Sequence, residues 1–146
     1  MQNVDLAEEA FEKTIARLVA SNGDKDPTLV EIYIDYGKLY IQTQKYDKAL
    51  QKCMQALQLA KTVLPETHLQ HFRAYNKVAT VYDLEQEHSL ALQYYMMALG
   101  VMKKVRETSE SLRYVAILYS DIGRIHHKMD HLLEAYEFYQ KAIELS

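Results

Sequence analysis

The chain has 146 residues, 49% hydrophobic and 25% charged, so it has the length of one domain and enough apolar material for a core, which excludes a disordered tail. Four glycines and two prolines are too few for the turns of a sandwich or barrel of short strands, and a formal charge of −3 gives no general attraction to phosphate backbones. The single cysteine, Cys53, the polar opening from Met1 to Glu9 and the lack of an apolar run of spanning length lead us to expect a cytoplasmic protein that binds neither nucleic acid nor membrane.

Apolar residues recur three and four apart along almost the whole chain, the spacing of a buried helical face, and predict seven helices. The first covers residues 4–20 and runs into a loop at Asn22-Gly23-Asp24. Asp26-Pro27 then supplies an N-cap and a first-turn proline for a helix over 28–44. A third follows over 47–63, and Pro65 is expected to start a fourth, over 66–85, in the same way. The last three are predicted over 89–105, 108–129 and 131–145.

These helices are copies of one unit. Tyr33, Tyr36, Gly37, Tyr40, Ala49, Cys53 and Ala56 align at a constant offset of 42 with Tyr75, Val78, Ala79, Tyr82, Ala91, Tyr95 and Ala98. A further offset of 44 brings in Tyr119, Ile122, Gly123, His126, Ala135, Tyr139 and Ala142. Stepping back 42 from Ala49, Cys53 and Ala56 reaches Ala7, Phe11 and Thr14, so the opening helix corresponds to the second half of another unit. Gly37 and Gly123 lie inside predicted helices, where glycine costs about 1 kcal/mol relative to alanine. With Ala79 at the same site and Ala49, Ala91 and Ala135 facing it, we expect close helix crossings there.

The pattern Tyr33-x2-Tyr36-Gly37-x2-Tyr40-x8-Ala49-x3-Cys53-x2-Ala56 resembles the tetratricopeptide repeat, with Cys53, His126 and Thr14 departing from its usual residues. Its length of 42 to 44 residues is similar to the long form in kinesin light chain and in bacterial regulators that carry such repeats. The resemblance implies an all-α, right-handed superhelical solenoid of antiparallel helix pairs, with first helices lining a concave groove. The expected organisation is one domain over 1–146, with a partial repeat at 4–26 and full repeats at 28–65, 66–106 and 108–146. It also implies a protein-binding scaffold whose groove takes a peptide or partner helix. The alternatives are a peptide-sensing regulatory domain of a larger signalling protein and an accessory domain of an enzyme.

Carrying the family's groove sites onto this sequence gives Ile34, Lys38, Ile41 and Gln42, then Arg73, Asn76, Thr80 and Asp83, then Ser120, Arg124, His127 and Lys128. Lys38, Arg73, Arg124 and Lys128 against the single acid Asp83 predict a positive face suited to a segment with acidic flanks and an apolar anchor at Ile34 and Ile41. Ile34 and Lys38 stand where the chaperone-binding class carries the first two residues of its carboxylate clamp, so that clamp is not expected. No phosphate loop, zinc-protease helix or nucleophile elbow occurs, and we expect neither catalysis nor a cofactor. His68 and His71 have metal-ligand spacing without a convincing third ligand, His126 replaces a packing tyrosine, and Cys53 falls on a packing face, so no metal or nucleophile is expected from them. Because stacked repeats need their terminal faces covered, we expect either a longer array or self-association through an end, near Ile122, Tyr136 or Tyr139.

Overall fold

The computed structural model describes residues 2–146, which form seven α-helices and no strand. They are α1 (Gln2–Asn22), α2 (Thr28–Gln42), α3 (Tyr46–Val63), α4 (Leu69–Leu84), α5 (His88–Lys104), α6 (Ser109–Lys128) and α7 (Leu132–Leu145). Contacts divide the chain into two compact units, Met1–Pro65 and Glu66–Ser146.

In the first unit α2 pairs with α3, and α1 packs beside α2. The helix α2 starts as the sequence predicts: Thr28 N–H donates to Asp26 Oδ1 at 2.9 Å, and Pro27 has a helical φ of −56°. The signature aromatics join the helices. The Phe11 ring stacks on Tyr36 with centroids 4.8 Å apart, and the Tyr36 hydroxyl donates to Glu12 Oε1 at 2.8 Å. Tyr40 donates to the Tyr36 oxygen at 3.2 Å, and Lys52 Nζ sits 4.7 Å from the Tyr36 ring centroid. At the α2–α3 crossing, a Cβ on Gly37 would stand 2.5 Å from Cys53 Sγ. That close approach explains the glycine.

In the second unit α4 pairs with α5 and α6 with α7, and α6 also packs on α5. One core joins Phe72 of α4, Tyr95, Leu99 and Met102 of α5, and Leu118, Ile122 and Ile125 of α6. A Cβ on Gly123 would lie 2.9 Å from the Tyr139 ring, so the small-residue site recurs at the α6–α7 crossing. One boundary differs from expectation. Pro65 does not open α4; the helix begins at Leu69, where His68 Nδ1 accepts the Gln70 N–H at 3.1 Å. An imidazole acceptor therefore caps this helix, and the preceding residues form a turn.

All three helix pairs turn the same way. Gln44, Gln86 and Asp130 each have φ near +60° (61°, 63° and 61°). The following N–H groups bond back to the carbonyls of Tyr40, Tyr82 and His126 at 2.9, 2.8 and 2.8 Å. With the bonds from Gln44 to Ile41, Gln86 to Asp83 and Asp130 to His127, this is a Schellman motif at each turn. Glycine is the residue this conformation favours, because a Cβ in the left-handed region costs about 1–2 kcal/mol. Gln86→Gly is therefore expected to stabilise the chain by about 0.5–1 kcal/mol once glycine's extra unfolded-state freedom is subtracted. Gln86→Val is expected to destabilise it, and urea denaturation of the two variants checks both signs.

Candidate functional site

Within the second unit, α6 runs alongside α4 in the same direction. Near their starts Tyr114 meets Phe72 with ring centroids 5.3 Å apart, and near their ends Arg124 and Lys128 meet Asp83. The first helices of two successive repeats thus present neighbouring side chains, as the resemblance implies.

A polar network occupies this face. Asp83, only 8% exposed, accepts from Arg124 Nη1 at 2.5 Å and from Lys128 Nζ at 3.1 Å. Arg124 Nη2 also donates to Asp121 Oδ1 at 3.1 Å. Thr80 Oγ1 donates to the Asn76 carbonyl at 2.8 Å and lies 3.5 Å from the Tyr95 hydroxyl, so α5 reaches the network from below. Burial pushes the Asp121 carboxyl above its ordinary range, opposed by the bond from Arg124. Burial works against the Arg124 charge, but the bonds to Asp83 and Asp121 outweigh it and raise its pKa. Tyr95 is pushed up by burial. At the sites repeat-equivalent to Asp83 stand Ile41 and His127, so the buried carboxylate belongs to the middle repeat.

The positions carried over from the resemblance separate into different environments. On α2 in the first unit, Ile34 is 0% exposed and belongs to the core, so it offers no apolar anchor to a ligand. The residue type was compatible with either role; its complete burial decides it. Ile41 is half-buried, whereas Lys38 and Gln42 are exposed. On α4, Arg73, Asn76 and Thr80 are half-buried, and Arg73 Nη1 donates to Gln70 Oε1 at 3.2 Å. On α6, Ser120, His127 and Lys128 are exposed. Of these, Ser120 lines a separate cavity towards α7 rather than the network.

The same contacts offset the α6 part of the expected positive face. Two cations, Arg124 and Lys128, are held by two carboxylates, Asp83 and Asp121, and the formal charges balance. Asp121 was not among the sequence-derived sites; its i,i+3 spacing to Arg124 was the available signal. Among the other candidates, His71 is buried, and the His126 ring is half-buried and stacked on Phe138 with centroids 5.5 Å apart. Ile122, expected near an exposed end, is fully buried in the core shared by α4, α5 and α6. Cys53 is buried against Gly37. No group of three or more metal-ligating side chains occurs among the described residues, and no described helix is long and apolar enough to cross a membrane.

Family models of the tetratricopeptide repeat match residues 36–104 and 116–146. The chain belongs to the tetratricopeptide repeat family. Its fold is the all-α fold of the family's solenoids. BtubC from P. vanneervenii superposes with a TM-score of 0.88 at 16% identity, over 99% of this chain and 57% of that one. A kinesin light chain-type protein of Podosopora anserina with nearly identical TPR-like repeats gives 0.75 at 14% identity, over 97% and 66% of the two chains. The TPR domain of Arabidopsis FLU gives 0.70 at 20% identity, over 80% and 93%. Among curated proteins, HGV2 of Halocynthia roretzi is 25% identical over 107 residues, or 70% of this chain. The chain spans about a fifth of HGV2's length (21%) and just over half of BtubC's (57%). Tetratricopeptide repeats are typically protein-interaction scaffolds rather than enzymes.

Proposed function

We propose that the chain is a protein-interaction module that takes a peptide segment of a partner along the α4–α6 face of its second unit. The observation that carries this reading is the polar face made by Asn76, Thr80, Asp83, Asp121, Arg124 and Lys128. Thr80, Asp83, Asp121, Arg124 and Lys128 are held by hydrogen bonds, whereas the half-buried Asn76 has a buried Oδ1 with no hydrogen-bond partner among the described residues. Groups fixed in advance lose little freedom when a ligand arrives, so the ordering cost that weakens binding to a flexible polar surface is reduced. Because the formal charges of the network cancel, the partner segment is one that exchanges hydrogen bonds with it, and net acidity is not its requirement.

The test uses peptides selected from a displayed library against the whole chain and then titrated in solution. Asn76→Ala and Thr80→Ala are expected to weaken the selected peptides several-fold each, and affinity should change little with salt because few uncompensated charges take part. Peptides that bind both variants as tightly as the original chain would place the partner site elsewhere.

A further inference from the structure

The turn between α6 and α7 carries a pair of side chains that its two repeat-related turns lack. The same reversal follows α2 and α4, but the sites equivalent to His126 and His131 are Tyr40 with Lys45 in the first turn and Tyr82 with Glu87 in the second. Of the three, the last turn alone sets one imidazole against another. The two Nδ1 atoms face each other at 3.4 Å, with ring centroids 5.6 Å apart. A spacing of five does not put two side chains on one helix face. Here Asp130, with its φ of 61°, folds the chain back and brings them together.

The pair is held in place on two sides. His131 N–H donates to the His126 carbonyl at 2.8 Å, which ties the two backbones together. The half-buried His126 ring lies almost parallel to Phe138, at 14° with centroids 5.5 Å apart. At 3.4 Å the facing nitrogens stand farther apart than in a well-formed N–H hydrogen bond, which runs to about 3.2 Å. The separation suits a different chemistry. Two zinc–nitrogen bonds of about 2.0–2.1 Å that meet at the tetrahedral angle set their nitrogens about 3.3–3.4 Å apart.

From this geometry we infer that His126 and His131 form a binding site for a divalent transition-metal ion such as Zn²⁺, held through both Nδ1 atoms while each Nε2 keeps the ring proton. No group of three or more His, Cys, Asp or Glu side chains stands ready for a metal among the described residues, so the other coordination positions fall to water or to donors of a partner. That makes the site an open one, unlike the four-ligand sites that hold small folds together. His131 is exposed, which gives the ion a path from solvent. Imidazole donors favour Zn²⁺, Cu²⁺ or Ni²⁺ over Mg²⁺ and Ca²⁺, which prefer oxygen. The ion links the last turn of α6 to the start of α7, so its binding stabilises the folded chain.

The experiment titrates Zn²⁺ alone into the whole chain by calorimetry and records the histidine ring signals by NMR. One equivalent is expected to bind, moving the His126 and His131 signals and raising the melting midpoint, with no response to Mg²⁺. Two variants remove one ligand each and leave the fold in place. His126→Tyr restores the residue of the other two repeats, and His131→Ala removes an exposed side chain that makes no capping bond. Each is expected to weaken Zn²⁺ binding about tenfold or more, since even loss of a group that only orients a ligand costs about 10–100-fold. His127→Ala, exposed and adjacent in sequence, should leave it unchanged. No binding by the original chain up to about millimolar Zn²⁺, or equal binding by both ligand variants, overturns the inference. So do signal changes confined to His68 and His71.

Discussion

Gly37→Leu is expected to destabilise the first unit by about 3 kcal/mol or more, a large share of the roughly 5–15 kcal/mol that holds a domain together. The reason is local. Even a single Cβ at Gly37 would stand 2.5 Å from Cys53 Sγ, with the Ala49 carbonyl oxygen 3.5 Å away, so the rest of a leucine side chain has nowhere to go without separating α2 from α3. Ala91→Leu should act alike at the α4–α5 crossing, where Ala91 is fully buried. Lys13→Ala is the control, because Lys13 is exposed and its ion pair, with Glu9 one turn away at 2.9 Å, is exposed as well. A double substitution sharpens the result. Gly37→Ala alone should destabilise, while Gly37→Ala with Cys53→Ala removes the clash and should recover much of the loss, helped by alanine's helix preference of about 1 kcal/mol over glycine. Thermal melts decide, and unchanged midpoints for the leucine variants would mean that the helices do not cross at these residues.

The second large effect is expected from Arg124→Glu. It removes the shortest bond to the buried Asp83 and places a third carboxylate beside Asp83 and Asp121, leaving Lys128 as the nearby cation. Removing one partner of a buried ion pair costs about 3–5 kcal/mol; since Arg124 itself is more than a third exposed, we expect roughly 2–3 kcal/mol. Arg124→Met should cost less, because Lys128 still compensates Asp83 and no like charge is added. A double-mutant cycle with Asp83→Asn measures the coupling directly, expected at about 1 kcal/mol or above. Zero coupling and an unmoved midpoint would show that the pair is solvated and contributes nothing. The sequence alone placed Arg124 among the groove cations that meet an acidic-flanked segment, and its bonds to Asp83 and Asp121 are the point at which the structure alters the expected outcome most.

Much of the fold was legible in the residues because helical periodicity and repeat spacing report the same fact twice. The offsets that aligned Tyr33 with Tyr75 and Tyr119 also located the small-residue crossings, since Gly37 and Gly123 make sense only against a facing helix. The turns were less visible. Gln44, Gln86 and Asp130 take a conformation that glycine usually marks, so the sequence offered no local sign of it, although their offsets of 42 and 44 were there to be read. The site was the least legible part. Ile34 and Asp83 were placed by family position, but exposure at such a position depends on how much of the neighbouring helix covers it. Asp83 meets Arg124 from 41 residues away, a pairing fixed by the stacking of α4 and α6 and by no local motif.

The account's central claim is that the first helices of the second unit carry the binding face. It is tested most directly by recording backbone amide NMR shifts of the whole chain while a library-selected peptide is added. The account predicts shifts concentrated on α4 and α6, around Asn76, Thr80, Asp83 and Arg124, with α5 and α7 perturbed little. Shifts confined to the exposed faces of α5 and α7, around Met96, Met97 and Tyr136, with the α4–α6 network unmoved, would contradict it.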